Sequence, residues 1–337
     1  EGSEELTRIL NNYFSEMLKI VDEYDGDVLR FAGDAITILF EEDNGETALS
    51  CALEMLEKMK DFSAINTRAG EFKLEMKIGC SKGKTLIGII NDSKEIDYYA
   101  LGEPLDDSAE AEHHAKKGEI VAAKNVFVPD YLSKREFSDG FEIISGSYHK
   151  KPLKAKKQFQ SSLNNFLSQY LPKHIIELSD PTTMGEHRGT TVIFLSFSLS
   201  KESDEETHKE ICHFYSNLKK IVSKYGGFIN KLDFGDKGSK ALLLFGTPHS
   251  LEKREIMATR CALEIVESMD KNHQIKMGIT SSHLFSGPLG SINRREFTVM
   301  GDGINLSARL MGYAKNIVPK EQNHNNAIII TDENTYK

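Results

Sequence analysis

The chain has 337 residues, of which 39% are hydrophobic and 28% charged, with a formal net charge of −9. That length holds two domains of ordinary size with proper cores. The acidic balance excludes a general nucleic-acid binder, which carries a basic face, and no apolar run approaches the roughly 18 residues of a membrane helix.

In chain order, the spacing of apolar residues predicts a long amphipathic helix over about Glu4–Tyr24. A hairpin over Asp27–Phe40 follows, its turn at Gly33-Asp34 inside the stretch FAGDAITILF. A second helix carries CALEMLEKM (51–59), and three strands come next at Phe72–Cys80, Lys84–Ile90 and Ile96–Leu101. A helix begins near Glu103, then a strand at Glu119–Ala123 and a closing apolar segment FEIISGSY (141–148). The basic stretch YHKKPLKAKK (148–157), a short amphipathic helix over about Ser161–Leu171 and SDPTTMGEHRG (179–189) read as linker.

From TTVIFLSF (190–197), a buried-strand pattern, the same order returns: a helix over about Glu205–Tyr225, a hairpin over Phe228–Phe245 and a helix carrying CALEIVESM (261–269). Strands follow at Gln274–Thr280, His283–Gly287 and Glu296–Met300, then a helix from near Asp302 and a strand over Asn326–Thr331. MKIG (76–79) returns as IKMG (275–278), and YYALGEPLDDSAEA (98–111) as FTVMGDGINLSARL (297–310). Spacings near 200 residues and preserved order identify two homologous domains rather than a solenoid. The reading is α+β, with helices laid on a mostly antiparallel sheet in each copy. The expected boundaries are 1–148, a linker over 149–189, and 190–337. Copy one has no counterpart of 190–197 and copy two none of 141–148, so the expectation is a piece of a longer protein with further domains.

Equivalent positions with different chemistry are informative. Asn305 and Arg309, four apart on one helix face, stand where copy one has Asp106 and Glu110; Lys231 corresponds to Arg30, Thr298 to Tyr99 and Lys276 to Lys77. One copy is cationic where the other is acidic, the pattern of two diverged half-sites at a domain interface. Taken singly, these residues also have plain readings: Asp34 as turn chemistry, Lys231 and Lys77 as solvated strand residues, Asn305 as a helix cap. The four cysteines, Cys51, Cys80, Cys212 and Cys261, form no CxxC pair. They read as reduced thiols in a cytoplasmic protein, and the acidic opening does not read as a signal peptide.

LRFAGDAITILF (29–40), FINKLDFGDKG (228–238) and FTVMGDGINLSARLM (297–311) resemble the class III nucleotidyl cyclases, in particular their soluble adenylyl members with tandem catalytic domains. The resemblance implies two ferredoxin-like domains in a head-to-tail pseudo-symmetric pair, converting ATP to 3′,5′-cyclic AMP and pyrophosphate. It implies two divalent metal ions (Mg²⁺, or Mn²⁺ or Ca²⁺) with Asp34 as one ligand, the second aspartate belonging to a strand this chain lacks. Ser196 stands at the equivalent place in copy two. Lys231 and Thr298 match the pair that reads the adenine edge, a choice that favours ATP over GTP. Val299 adds backbone contacts, Asn305 orients the ribose, Arg309 meets the α-phosphate and Lys77 the terminal phosphates. Bicarbonate control of soluble members uses a basic pair; Arg30 matches one member, but Ala109 replaces the other, which argues against it here. The rival readings are a nucleotide-binding cyclase-homology module without chemistry and, less favoured, a guanylyl cyclase. With half the metal site missing, this chain by itself is expected to be poorly active.

Overall fold

The computed structural model describes residues 2–33, 35–41, 43–68, 70–92, 95–138, 140–149, 185–198, 203–234, 238–268, 274–290, 294–317 and 327–336. They fall into two compact units, one drawn from Glu1–Thr85, Leu101–Asn164 and Leu289–Glu296, the other from Leu86–Ala100, Asn165–Pro288 and Phe297–Lys337. The architecture is α+β with mostly antiparallel sheets, as the alternation of strand and helix patterns implies.

In the first unit α1 (Gly2–Glu23) buries Leu10, Phe14, Met17, Leu18 and Val21 along one stripe, the spacing of an amphipathic helix. A hairpin follows, β1 (Asp27–Ala32) with β2 (Ala35–Leu39). Its turn uses Gly33 at φ +67°, a left-handed conformation that glycine adopts without strain. Helix α2 (Glu46–Lys58) is held at its start by the Asp43 carboxylate, which accepts from the backbone N–H groups of Thr47 and Ala48.

Beyond α2 the chain departs from expectation. Phe72–Cys80 is not one strand: β3 (Ile65–Thr67) and β4 (Gly70–Phe72) form a small hairpin, and β5 covers only Ile78–Cys80. Among the described residues β5 pairs on one side alone, with β8 (Ile120–Ala123). Residues 73–77 are left out of regular pairing. The order of this sheet is β5-β8-β10-β9, with β9 (Ser133–Ser138) and β10 (Phe141–Ser145) closing it. Its core is Leu49, Ala52 and Leu53 of α2 against Ile120, Ala122 and Ile144. Helix α3 (Glu103–His114) lies on β5. The stretch Leu289–Glu296 binds to this unit through polar contacts: Gly290 N donates to Asn11 Oδ1 (3.1 Å), Arg294 to Val28 O (2.9 Å) and Phe31 N to Glu296 Oε2 (3.0 Å).

The second unit holds a six-stranded sheet in the order β12 (Gly227–Asp233), β13 (Ser239–Phe245), β11 (Glu186–Phe197), β14 (Ile275–Gly290), β15 (Arg295–Met300), with β16 (Ala327–Thr331) parallel to β14. Strand β11 (Glu186–Phe197) starts four residues before the apolar run. The two strands expected over 274–287 are one, β14 (Ile275–Gly290), because β11 pairs along it from Glu186 to Ser196. Ser281 and Ser282, which look like a break in the sequence, stand opposite Thr191 and Thr190, and the Thr191 and Ser281 hydroxyls are hydrogen-bonded at 2.9 Å. Helices α4 (Asp204–Lys224) and α5 (Arg254–Ser268) belong to this unit. So does the hairpin β6 (Leu86–Asp92) and β7 (Glu95–Leu101) over residues 86–100, where Tyr99 packs on Phe234 and its hydroxyl lies 2.9 Å from His208 Nδ1. The expected helix over Ser161–Leu171 and most of the basic stretch from Tyr148 lie outside the described residues. No described helix is long and apolar enough to cross a membrane.

The repeated Tyr and CALE segments prove to be partners. The Tyr24 hydroxyl donates to Glu54 Oε2 (2.8 Å), and the Tyr225 hydroxyl to Glu264 Oε2 (2.6 Å), which Lys224 also reaches at 2.6 Å. Each bond ties the end of a copy's first long helix to its CALE helix. Burial, with Glu54 beside it, pushes the Tyr24 hydroxyl well above its ordinary pKa. Tyr24→Phe is expected to cost about 1 kcal/mol of stability, read by urea denaturation; an unchanged midpoint would remove the clasp from the account. Lys224 and Tyr225 hold the Glu264 carboxyl below 4.5. A lowered folded pKa gives stability that is present above the unfolded value and lost as pH falls through the folded one, so this clasp weakens only below about pH 4.5, and Glu264→Gln flattens that part of the acid unfolding curve.

Candidate active site

Both copies bulge at one place. Strand β1 skips a residue between Val28 and Arg30, and β12 (Gly227–Asp233) skips one between Ile229 and Lys231. A bulge re-aims the side chain beside it. Here it sits just before Arg30 in copy one and Lys231 in copy two, with Lys231 opposite Leu242 of β13 (Ser239–Phe245) and Arg30 opposite Thr37.

In copy two the bulged residue does more. Asn230 Nδ2 donates to the carbonyl of Phe297 (3.1 Å), and the Phe228 and Phe297 rings meet edge-on with centroids 6.1 Å apart. Strands β12 and β15 (Arg295–Met300) stand at opposite ends of the strand order, yet this contact brings them together across the sheet face. Lys231 follows Asn230 and Thr298 follows Phe297, so the clasp holds the two candidate adenine readers on touching strands. Thr298 is 1% exposed, and Val299 packs in the core with Leu242, Leu244 and Leu284. With its side chain committed there, Val299 has only its backbone left for a ligand. Asn230 escaped the sequence reading because its counterpart is Leu29, a buried apolar residue; that disagreement between copies was the available signal.

Helix α6 (Asp302–Tyr313) starts from Gly301 at φ +146° with no side-chain cap. Asn305 lies in its fourth position and is not a cap. Gly303, Ser307 and Met311 are buried, while Asn305 and Arg309 are exposed one turn apart on the opposite side. Among the described residues neither has a hydrogen-bond or ion-pair partner. The helix is seated tightly on β14: a methyl group on Gly278 would sit 2.0 Å from Ser307 O. Gly79 and Ser108 O repeat that approach in copy one, again at 2.0 Å. These glycines are the last letters of MKIG and IKMG, a repeat read from sequence without its cause.

Lys77 precedes β5 rather than lying in a strand, and its ammonium pairs with Glu112 of α3 at 3.1 Å, both partly solvent-exposed. Its counterpart Lys276 is in β14, opposite Ser196. Asp34 lies outside the described residues. Among the described residues no three of His, Cys, Asp and Glu converge as a metal site. Burial pushes the Cys80 and Cys261 thiols up to about 12 and raises Cys51 and Cys212 as well. At pH 8 the native protein is expected to react with a disulfide reagent more slowly than free cysteine, because every thiol holds its proton more tightly. Four thiols should appear quickly in denaturant, and a fast native phase would contradict this.

Residues 1–151 match the family model for the adenylate and guanylate cyclase catalytic domain. This segment belongs to that family. Adenylate cyclase type 10 of Homo sapiens is 25% identical over 94% of this chain and 22% of its own length, and that of Mus musculus is likewise 25% identical over 94% and 22%. An adenylate cyclase of Anabaena cylindrica is 30% identical over 34% of this chain and 23% of its own length. The chain thus spans about a fifth of the length of these curated relatives. Among solved structures, the adenylyl cyclase CyaB from P. aeruginosa is 22% identical, covering 45% of this chain and 81% of that one, with a TM-score of 0.36. The similarity to the type 10 enzymes extends the likeness beyond the matched family segment into copy two, where α6 and β12 lie.

Proposed function

We propose that this chain is an adenylyl cyclase catalytic core, built from two cyclase-homology domains over 1–148 and 190–337, that converts ATP to cyclic AMP and pyrophosphate. The observation that carries the proposal is helix α6, with an amide and a guanidinium exposed one turn apart, unpartnered among the described residues, on a helix locked to its strand. In the reaction the ribose 3′-hydroxyl attacks the α-phosphate and pyrophosphate leaves, so the protein has to orient a ribose and neutralise a crowded phosphate. Asn305 suits the first task and Arg309 the second. Lys231 donates to a ring nitrogen and the Thr298 hydroxyl accepts from the exocyclic amine, a combination suited to adenine. Lys77 serves the terminal phosphates. Divalent ions would activate the hydroxyl and offset phosphate charge. The family resemblance assigns Asp34 to hold one such ion.

The type 10 relatives and the family segment support this reading. The test is cyclic nucleotide production followed by mass spectrometry, from ATP or GTP with Mg²⁺ or Mn²⁺, using this chain and the chain with further residues at both ends. Cyclic AMP from ATP is the expected product. Cyclic GMP would reassign Lys231 and Thr298. A folded protein that binds ATP and yields neither product would leave a nucleotide-binding module.

A further inference from the structure

Arg30 and Lys231 each follow the same irregularity, in β1 and in β12, so the bulge itself belongs to the repeat. The residue at the bulge differs. Leu29 in copy one is a buried apolar side chain. Asn230 in copy two reaches out of its strand and donates from Nδ2 to the Phe297 carbonyl at 3.1 Å. Of the two ends of an amide only the nitrogen donates to a carbonyl, so this bond fixes the orientation of the group and turns Oδ1 away. Oδ1 is buried and has no hydrogen-bond partner among the described residues. A buried acceptor without a donor is destabilising, and an apolar side chain at the bulge avoids it, as Leu29 does. The less favourable residue stands in the copy that holds Lys231 and Thr298, and departures of this kind from local good practice gather at functional sites.

We propose that Asn230 is a positioning residue that sets the choice between ATP and GTP, a proposal that rests on the reading of Lys231 and Thr298 as the pair that meets the adenine edge. The two purines differ at adjacent atoms of that edge. Adenine offers a ring-nitrogen acceptor beside an amine donor, and guanine a ring N–H donor beside a carbonyl acceptor. An ammonium only donates, whereas a hydroxyl donates or accepts. Thr298 therefore suits either base, and discrimination falls to the place at which Lys231 holds its ammonium. Opposite the ring nitrogen, the ammonium pairs with adenine and meets a like donor in guanine. One atom further along the edge, it pairs with the guanine carbonyl. A lysine stem is flexible, so that place depends on how its strand is anchored relative to Thr298. Asn230 is the chain neighbour of Lys231, and its amide ties β12 to the residue before Thr298. The Phe228 and Phe297 rings, with centroids 6.1 Å apart, support the bond on the same two strands.

The test compares the whole chain with Asn230→Leu, which places the copy-one residue at the copy-two bulge. ATP and GTP affinities are measured by displacement of a fluorescent nucleotide, which needs no turnover, and each protein is melted thermally. The wild type is expected to prefer ATP. Asn230→Leu loses the bond to Phe297 and removes the buried orphan acceptor, two changes that oppose each other, so the melting temperature should move little. The ratio of ATP to GTP affinity should nevertheless fall about tenfold. Asn230→Asp keeps the shape without the donor and should lower the ratio as well, while Asn230→Gln keeps the amide and should recover part of it. Where cyclic nucleotide is formed, KM for ATP should rise in Asn230→Leu while kcat holds. Leu and Asp variants that retain the wild-type ratio would overturn the inference and leave the adenine reading standing. A ratio that merely follows the melting temperature across the three variants would make Asn230 structural and overturn it too. A wild type that binds neither nucleotide, or both alike, would overturn the adenine reading and the role of Asn230 with it.

Discussion

Replacing Arg309 by alanine is expected to lower cyclic AMP formation by roughly 10²–10³-fold while leaving the fold and thermal stability unchanged. The first half follows from chemistry. A guanidinium aimed at a phosphate whose charge becomes crowded in the transition state is worth several kcal/mol of barrier, and removing one such donor costs about that factor. The second half follows from the structure: Arg309 is exposed and has no ion-pair partner among the described residues, so nothing in the packing of α6 depends on it. Surface changes of this kind move stability by about 0.5 kcal/mol at most. Asn305→Ala should resemble it in stability and reduce turnover by a smaller factor, because a neutral amide makes a weaker bond to the ribose than a cation does to phosphate. Measuring cyclic nucleotide by mass spectrometry beside a thermal melt separates the two effects. Unchanged turnover in Arg309→Ala, from a protein that makes cyclic AMP, would remove α6 from the chemistry. Lost turnover together with a lowered melting point would make the residue structural.

The duplication was legible because periodicity and repeated words survive without three-dimensional information. The long helices, the two hairpins and the helix after Gly301 fall within a residue or two of their expected places. What escaped depended on pairing. The sequence of 274–287 looks interrupted at Ser281-Ser282, but a partner strand of matching length, with Thr190 and Thr191 opposite, carries the ladder across. Conversely, 72–80 alternates like a strand, yet among the described residues Phe72 pairs in a separate hairpin with Ile65 and only Ile78–Cys80 joins the sheet. The shared exposed face of Asn305 and Arg309 was legible because helical spacing places i and i+4 together. The place of Asn230 was not: a bulge and a side-chain bond to the Phe297 carbonyl link strands 67 residues apart, and no local pattern encodes that.

Gly278→Ala is expected to destabilise copy two and to slow turnover together. The added methyl group would lie 2.0 Å from Ser307 O and 2.7 Å from Met311 N, both backbone atoms of α6, so no side chain can swing aside. To restore ordinary contact the helix must back away from β14 by about 1–1.5 Å. That motion strains the bond in which the Thr280 hydroxyl donates to Gly303 O at 2.7 Å, and overpacking of this kind costs about 1–3 kcal/mol. It also carries Asn305 and Arg309 with it, and a displacement of about 1 Å at reacting groups costs on the order of 10² in rate. Turnover should therefore fall in protein that remains folded, at temperatures well below its lowered melting point. Gly79→Ala meets the same 2.0 Å obstruction at Ser108 O in copy one and should cost similar stability. Its helix, however, carries Asp106 and Glu110 where α6 carries Asn305 and Arg309, so its turnover loss should be the smaller. Equal loss of turnover in the two variants would mean that rate follows global stability alone, and the seating of α6 would then have no separate part in positioning those side chains.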